Sequence, residues 1–221
     1  QCDPKLSQII ASMADIFVFD AFGVSHRAEC TTTGVTNYLE TVAGLNIRHE
    51  IQTINKLMNQ QSKPMTIIIS GAKVSTKIVL IKKLLTKCDY MILGGGILNT
   101  FLKAKGYEVG NSLLEEGYVG DAVEILESDF ANKIFFPSDF SCVTENGIAN
   151  VELSRISAND SIYDLGTSSI NEIKNIVRKS ASVFWNGPLG YVEKKPFNKC
   201  TEELAKAIAD HNCFSIVGGG D

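Results

Sequence analysis

The sequence lacks the features that mark several common classes of protein. It has no long basic run, and its 25 acidic residues outnumber its 21 basic ones, which gives a formal net charge of −4. We therefore expect neither a nucleic acid nor a membrane surface as a partner. No apolar stretch approaches the roughly 20 residues that a membrane-spanning helix needs. Neither a Walker A loop nor a G-x-G-x-x-G fingerprint occurs, so no motif supports a P-loop or a Rossmann dinucleotide site.

The six cysteines lack a pattern as well. None of them forms a C-x-x-C pair, which argues against a zinc or redox site. We expect reduced thiols in a cytoplasmic protein. The sequence begins at Gln1 rather than at Met and ends on the glycine loop Gly218-Gly219-Gly220-Asp221. Because a glycine loop is an unusual place for a domain to stop, we expect a fragment or a processed chain.

What the sequence does contain is an alternation of apolar strands and amphipathic helices. The elements recur at intervals of about 20 to 35 residues, which predicts an α/β domain with a doubly wound, mainly parallel sheet. We predict strands at residues 15–19, 65–69, 88–93, 133–136, 139–143, 161–165, 181–185 and 213–217, the first of them buried. We predict helices at residues 6–13, 43–60, 74–85, 97–105, 113–126 and 201–210. A capping box of Ser169 and Glu172 predicts one more helix, ending at Lys179, and the polar residues 144–159 are predicted to be irregular.

Residues 70–77, with the sequence SGAKVSTK, join a predicted buried strand to a predicted helix. Gly71 lets a ligand approach the backbone, and free N–H groups at a helix start together with Lys73 and Lys77 favour an anion such as phosphate. Taken alone, the segment is more often an ordinary turn with two solvated lysines. A second glycine-rich junction, Gly94-Gly95-Gly96, follows the next strand. Since such strand ends lie along one edge of a doubly wound sheet, one phosphate-bearing ligand could meet both junctions.

His26 and Arg27 follow the predicted strand at residues 15–19. They could offer a fork of hydrogen-bond donors to a phosphate or a carboxylate. From spacing alone, a surface loop with two polar residues is the more common arrangement.

Six segments, taken together and in this order, resemble phosphoglycerate kinase along essentially the whole chain. They are residues 20–28 (DAFGVSHRA), 71–77 (GAKVSTK), 94–96 (GGG), 100–104 (TFLKA), 185–190 (WNGPLG) with Glu193, and 214–221 (FSIVGGGD). The resemblance implies a three-layer, Rossmann-like fold that is truncated at both ends. It implies phosphoryl transfer between 1,3-bisphosphoglycerate and ADP, giving 3-phosphoglycerate and ATP with Mg²⁺. It also implies small-molecule partners, a monomer and a cytoplasmic glycolytic role.

The resemblance further implies a division of the chain and a set of site residues. Residues 1–43 would be a remnant of the phosphoglycerate-binding domain, 44–61 a connector helix and 62–221 a nucleotide-binding domain that is incomplete at its end. Lys73 would be catalytic, and His26 and Arg27 would contact the phosphoglycerate. The implied nucleotide-binding residues are Gly71, Ala72, Lys77, Gly94, Gly95, Gly96, Asn186, Pro188, Glu193, Gly219, Gly220 and Asp221, with Asp221 also holding Mg²⁺.

The sequence also departs from the family pattern. The family's early Asp-x-Asn stretch, its His-x-x-Arg loop and two further arginines have no counterpart here, and Ser70 stands where the family usually has Gly. We therefore expect weak binding of a magnesium nucleotide but negligible kinase activity from this polypeptide alone. The alternatives are a non-catalytic nucleotide-binding module from a degenerate gene and an α/β domain without a ligand.

Overall fold

The structure, a computed structural model, describes residues 2–59 and 62–219. The chain divides into two units, Gln1–Gln60 and Gln61–Asp221, and each is described by itself. Among the described residues, no helix combines the length and the apolar composition that crossing a membrane would require.

The smaller unit has helices and strands as its main elements. They are α1 (Pro4–Ala11), β1 (Ile16–Phe19), β2 (Glu40–Ala43) and α2 (Leu45–Asn59). Helix α1 starts after Asp3, whose Oδ1 accepts a hydrogen bond from the backbone N–H of Leu6 at 2.8 Å, and Pro4 suits the first helical position because it has no N–H to leave unpaired. Strands β1 and β2 pair in parallel, with Ile16 opposite Glu40.

The prediction that the first strand is buried is wrong. Ile16 and Val18 on β1 are 53% and 57% exposed. Within the described residues β1 pairs with β2 alone, so a two-stranded ribbon leaves much of its apolar surface uncovered. The helix predicted at 43–60 forms as α2, and its predicted last residue, Gln60, lies outside the described residues.

The larger unit alternates strands and helices. In chain order it contains β3 (Met65–Ser70), α3 (Ile78–Leu85), β4 (Tyr90–Gly94), α4 (Gly95–Ala104), α5 (Val119–Leu126), β5 (Ile134–Phe135), β6 (Asp139–Thr144), β7 (Gly147–Glu152), β8 (Ser161–Leu165), α6 (Thr167–Lys179), β9 (Ser182–Asn186), α7 (Lys199–Ala209) and β10 (Phe214–Gly218). In the described part of the chain, five strands form a parallel sheet in the order β10-β9-β3-β4-β5. The predicted class, α/β with a mainly parallel sheet, is therefore observed.

Strand β3 lies at the centre of this sheet. All of its residues are buried, which agrees with a continuous apolar run flanked by strands on both sides. Its register places Ser70 beside Gly94 of β4 and Ile69 beside Asn186 of β9. The carboxyl ends of β3, β4 and β9 are thus level with one another.

A second sheet was not predicted. Strands β7, β6 and β8 form an antiparallel sheet in that order, and β7 lies inside the segment predicted to be irregular. The residues of β7 are almost all exposed, so they carry no apolar alternation that would reveal a strand. A two-residue turn between Thr144 and Gly147 joins β6 to β7, and Gly147, the first residue after the turn, has a positive φ of 105° that glycine adopts without strain.

The predicted capping box of α6 is also wrong. Ser169 lies inside the helix, and the carboxylate of Asp139 on β6 accepts the N–H groups of Ser168 and Ser169 at 3.0 and 2.8 Å. Burial raises the pKa of Asp139, but hydrogen bonds from Ser169 and Asn150 outweigh that effect, so the pKa is lowered and the carboxylate stays charged. A strand residue 30 positions away from Ser169 therefore caps this helix.

Two predicted helices form only in part. The helix predicted at 74–85 begins at Ile78, and residues 75–77 form a turn that precedes it. The helix predicted at 113–126 begins at Val119. Glu115 therefore lies before the helix, and its carboxylate accepts the backbone N–H of Ser75 at 2.7 Å and the hydroxyl of Ser75 at 2.9 Å.

Candidate functional site

A pocket of about 460 Å³ lies at the carboxyl ends of β3, β4 and β9, which are level with one another. Its walls come from the two glycine-rich junctions, from β8 and from the loop that follows β9. The lining residues are Ser70, Gly71, Ala72, Gly95, Gly96, Asn99, Leu113, Ile162, Tyr163, Pro188, Gly190, Tyr191 and Glu193. Its size is within the range of small-molecule sites, and its place is where ligands bind in open α/β sheets.

The two glycine-rich junctions are in direct contact. Gly95 has a φ of +62°, and a Cβ added there would lie 2.8 Å from the carbonyl oxygen of Gly71. A Cβ on Gly96 would clash with the carbonyl oxygen of Ala72. The backbone N–H of Ile97 donates to Gly71 at 3.2 Å. Glycine at these positions therefore brings the start of α4 against the loop after β3 and shapes one wall of the pocket.

Lys77 ties the ends of two strands together. Its Nζ donates to the carbonyl oxygen of Ser70 at 2.6 Å and to Oδ1 of Asn186 at 2.7 Å. Burial lowers the pKa of Lys77, because a partly dehydrated ammonium is less favourable than a hydrated one. An ammonium has three N–H groups, so one remains for a ligand at the edge of the sheet.

Lys73 has a different environment. Its side chain is exposed, and no hydrogen bond from its Nζ is found among the residues that the structure describes. The turn that separates it from Lys77 is held by Glu115, whose pKa is lowered by the N–H of Ser75 and, to a smaller extent, by the charge of Lys73. Lys73 is thus an exposed positive charge, while Lys77 is held in place by two hydrogen bonds.

The loop after β9 completes the edge. Gly187 has a φ of +86°, and a Cβ there would lie 2.5 Å from the carbonyl oxygen of Ser70. Its N–H donates to Gly218 of β10 at 3.1 Å, and a Cβ on Gly219 would lie 3.1 Å from the same nitrogen of Gly187. Gly219 therefore lies at the sheet edge that bears Asn186, while Gly220 and Asp221 lie outside the described residues.

Most of the residues expected at a nucleotide site in the larger unit lie at this edge. Gly71, Ala72, Gly95, Gly96, Pro188 and Glu193 line the pocket, and Gly94 lines a smaller cavity next to it. His26 and Arg27 belong to the smaller unit. There Arg27 Nη1 lies 3.8 Å from Glu29 Oε1, and both of these side chains are exposed.

Sequence reasoning missed several residues of the pocket. They are Asn99, Leu113, Ile162, Tyr163, Gly190 and Tyr191. Most are apolar or aromatic residues that look like ordinary core positions in the sequence. Asn99 carried a signal, since it and the adjacent Thr100 are polar residues within an apolar stretch of α4.

Between residues 2–59 and 62–219 there is no cluster of three His, Cys, Asp or Glu side chains that could hold a metal ion. Mg²⁺ is usually held by one or two carboxylates together with the phosphates of a substrate. The predicted ligand, Asp221, lies outside the described residues.

Comparisons with known proteins agree with this geometry. Residues 1–221 match the family model described as phosphoglycerate kinase. The phosphoglycerate kinase of Baumannia cicadellinicola subsp. Homalodisca coagulata is 40% identical over 222 residues, with 99% of this chain and 57% of the relative covered. That of Mycoplasmoides gallisepticum is 37% identical over 230 residues, with 99% and 56% covered. The structure of phosphoglycerate kinase from Coxiella burnetii superposes with a TM-score of 0.85 at 36% identity, covering 99% of this chain and 58% of that one. The chain thus spans a little over half the length of these relatives.

Proposed function

Because the chain belongs to the phosphoglycerate kinase family, we propose that it serves phosphoryl transfer between 1,3-bisphosphoglycerate and ADP, which yields 3-phosphoglycerate and ATP in glycolysis. The observation that carries this proposal is the pocket at the ends of β3, β4 and β9, with Lys77 fixed at its edge. We place the protein in the cytoplasm as a monomer with small-molecule partners, without a nucleic acid or a membrane.

The pocket suits the adenosine part of a nucleotide. Its glycine-lined wall presents backbone atoms at Gly71, Gly95 and Gly96, which lets a flat base lie close to the chain. We assign Gly94 and Ala72 to the same wall. Glu193 lines the pocket with an exposed carboxylate, which can accept hydrogen bonds from ribose hydroxyl groups.

The edge of the sheet suits the phosphates. Lys77 holds a positive charge there, and the exposed Lys73 directly follows the pocket residue Ala72, which places a second positive charge near the phosphates. We assign Lys73 the catalytic role, and Asn186, Pro188, Gly219, Gly220 and Asp221 the contacts around the phosphates. Phosphoryl transfer depends mainly on positioning and on neutralised charge. Mg²⁺, when bound with the nucleotide, would add charge neutralisation, with Asp221 as its protein ligand.

The smaller unit is the proposed phosphoglycerate side. We assign His26 and Arg27 to the phosphate or carboxylate of that substrate, because both offer donors and Arg27 is exposed. We assign residues 1–43 to the phosphoglycerate-binding domain, residues 44–61 to a connector and residues 62–221 to the nucleotide-binding domain.

Calorimetry with MgADP tests the nucleotide site. We expect weak but measurable binding to the chain, and weaker binding of adenosine, because adenosine lacks the phosphates that the lysines would contact. Lys73→Met should reduce the difference in affinity between MgADP and adenosine. Lys87→Met is the matched control, since this lysine is exposed and lies beyond the far end of α3. No heat with millimolar MgADP would refute the proposal.

A coupled assay tests the reaction. For a polypeptide of these 221 residues we expect nucleotide binding without measurable turnover of 1,3-bisphosphoglycerate, because the other arginines of the family's substrate site have no counterpart in the sequence. Turnover at the rate of the full-length relatives would contradict this expectation.

A further inference from the structure

A small cavity of about 20 Å³ lies next to the nucleotide pocket. The two share part of their lining, namely Gly95, Asn99, Ile162, Tyr163 and Gly190. A volume of this size has room for about one water molecule. Two side chains that line this cavity, Asn99 and Asp164, have no role in the proposed reaction.

Asn99 presents a hydrogen-bond acceptor without a donor. The residue is 3% exposed, and its Nδ2 donates to the carbonyl oxygen of Leu113 at 2.9 Å. Its Oδ1 is buried and has no hydrogen-bond partner among the described residues. The opposite amide orientation would place two oxygen atoms together at Leu113, so the orientation is determined by that contact. A buried acceptor without a donor is unfavourable, which makes a donor at this position favourable.

Asp164 lines the same cavity and is also 3% exposed. Its Oδ1 accepts the N–H of Leu165 at 2.8 Å, and its Oδ2 accepts the N–H of Cys200 at 3.0 Å in the first turn of α7. It also touches the pocket wall, because a Cβ on Gly190 would lie 2.5 Å from Asp164 Oδ1. The carboxyl group therefore joins β8, α7 and the loop after β9.

Burial favours the neutral form of Asp164, whereas the groups around it favour the charged form. Burial raises the pKa of Asp164 to about 7, although the N–H groups of Cys200, Leu165 and Lys199 and the charge of Lys199 act in the opposite direction. The thiol of Cys200 remains protonated, because burial raises its pKa well above the usual value.

The other elements packed against Asp164 bring few charged groups. Ser141 of β6 pairs with Asp164, and α4 contributes Leu98 and Asn99 to the shared cavity. In the loop after β9, Lys194 lies with its Nζ 5.2 Å from the ring centre of Tyr163, the residue before Asp164, and Tyr191 stacks edge-on against the same ring.

We propose that Asp164 takes up a proton from solvent when a nucleotide fills the pocket, and that this proton supplies the donor that Asn99 Oδ1 lacks, directly or through one water. An ionised carboxylate only accepts hydrogen bonds, whereas the protonated form has an O–H donor. A base in the adjoining pocket would displace water from the shared wall at Tyr163 and Gly190, and that further dehydration favours the neutral carboxyl. Asp164 is thus a positioning residue beneath the nucleotide, and this inference rests on the proposed function.

Asp139 provides a matched control within the same unit. It is likewise 3% exposed and likewise receives N–H groups from the start of a helix. Its pKa is lowered rather than raised, because side-chain hydrogen bonds from Ser169 and Asn150 offset its burial. Asp139 lies outside the lining of both cavities, so its charge should not respond to the nucleotide.

Calorimetry in buffers of different ionisation enthalpy measures the proton exchange. At pH 7 we expect MgADP binding to the wild-type chain and to Asp139→Asn to take up as much as about half a proton, because near its pKa about half of Asp164 lacks one. Asp164→Asn should remove this uptake. The phosphates of the nucleotide exchange protons equally in all three titrations, so the difference isolates Asp164. Equal uptake by Asp164→Asn and the wild type would overturn the inference, whereas absence of any binding to the wild type would refute the proposed function instead.

Carbon NMR of the carboxyl groups in the wild-type chain provides a test that needs no variant to fold. We expect the Asp164 carboxyl to titrate near pH 7 in the free protein and at a higher pH with saturating MgADP. The free-protein titration remains decisive for the protonated state of Asp164 even if no nucleotide binds. Titration of every aspartate below about pH 5, near the usual range, would overturn the inference, as would an Asp164 titration that MgADP leaves unchanged.

Discussion

Replacing Lys77 by Met separates the structural role of this lysine from its proposed role in phosphate binding. Methionine keeps an unbranched stem but has no N–H groups. The carbonyl oxygen of Ser70 and Oδ1 of Asn186 would each lose a charged donor at 2.6 and 2.7 Å. The cross-link between the ends of β3 and β9 would then be absent.

The magnitude follows from these two contacts. A hydrogen bond to a charged group contributes about 1.5–3 kcal/mol. Lys77 is only partly buried, so water replaces some of the lost bonding, and removing a partly dehydrated ammonium returns some free energy. We expect the free energy of unfolding to fall by about 2 kcal/mol, which corresponds to a decrease in Tm of about 4–8 °C for a chain of this size.

Urea unfolding followed by tryptophan fluorescence measures this change at the site itself. Trp185, the one tryptophan of the sequence, donates its indole N–H to Gly187 at 2.6 Å. Lys73→Met is the matched control, because its exposed side chain should contribute less than about 0.5 kcal/mol to stability. Both variants should weaken MgADP binding at least about tenfold, or about 1.4 kcal/mol. Equal unfolding midpoints for the two variants would refute the assignment of Lys77 as a strand cross-link.

Three further predictions concern single groups. Gly96→Ala should weaken MgADP binding at least about tenfold by calorimetry, because the new Cβ forces the backbone at Ala72 to move; unchanged affinity would contradict the shape of that wall. Ser169→Ala should lower the free energy of unfolding by about 2–3 kcal/mol in urea, because its buried hydroxyl accepts the N–H of Asp139 at 3.0 Å and donates to its carboxylate at 2.6 Å. The folded pKa of Asp164, about 7, exceeds the unfolded value of about 3.9, so its stabilising contribution is complete below pH 4 and is lost as the pH rises through 7. Wild type minus Asp164→Asn should show that loss in a pH series, and a flat difference would refute it.

The central sheet could be predicted because its strands are long apolar runs that end in glycine. The strands β3, β4 and β9 have this pattern, and burial on both faces explains it. The strands β2 and β7 were missed, since their residues are mostly exposed and carry no apolar signal. Periodicity reports burial, so an exposed strand has little to reveal it.

The site could be predicted in part for a similar reason. The glycine junctions and the lysines are recognisable as short local patterns. The sequence did not distinguish the fixed Lys77 from the free Lys73, because that difference depends on Asn186, 109 positions further along the chain. Glu115 and Asp164 were missed on the same ground, since their partners Ser75 and Cys200 lie 40 and 36 positions away.

The strand order means that the pocket is built from segments that lie far apart in the sequence. Strands β4 and β5 lie on one side of β3 and come directly after it, whereas β9 and β10 lie on the other side and come last. The pocket therefore lies where a segment that is synthesised early meets a segment that is synthesised later. During synthesis, Gly71 and Gly96 are added to the chain well before Pro188 and Glu193. Because contacts between distant segments form slowly, nucleotide binding should report the last stage of folding of this unit.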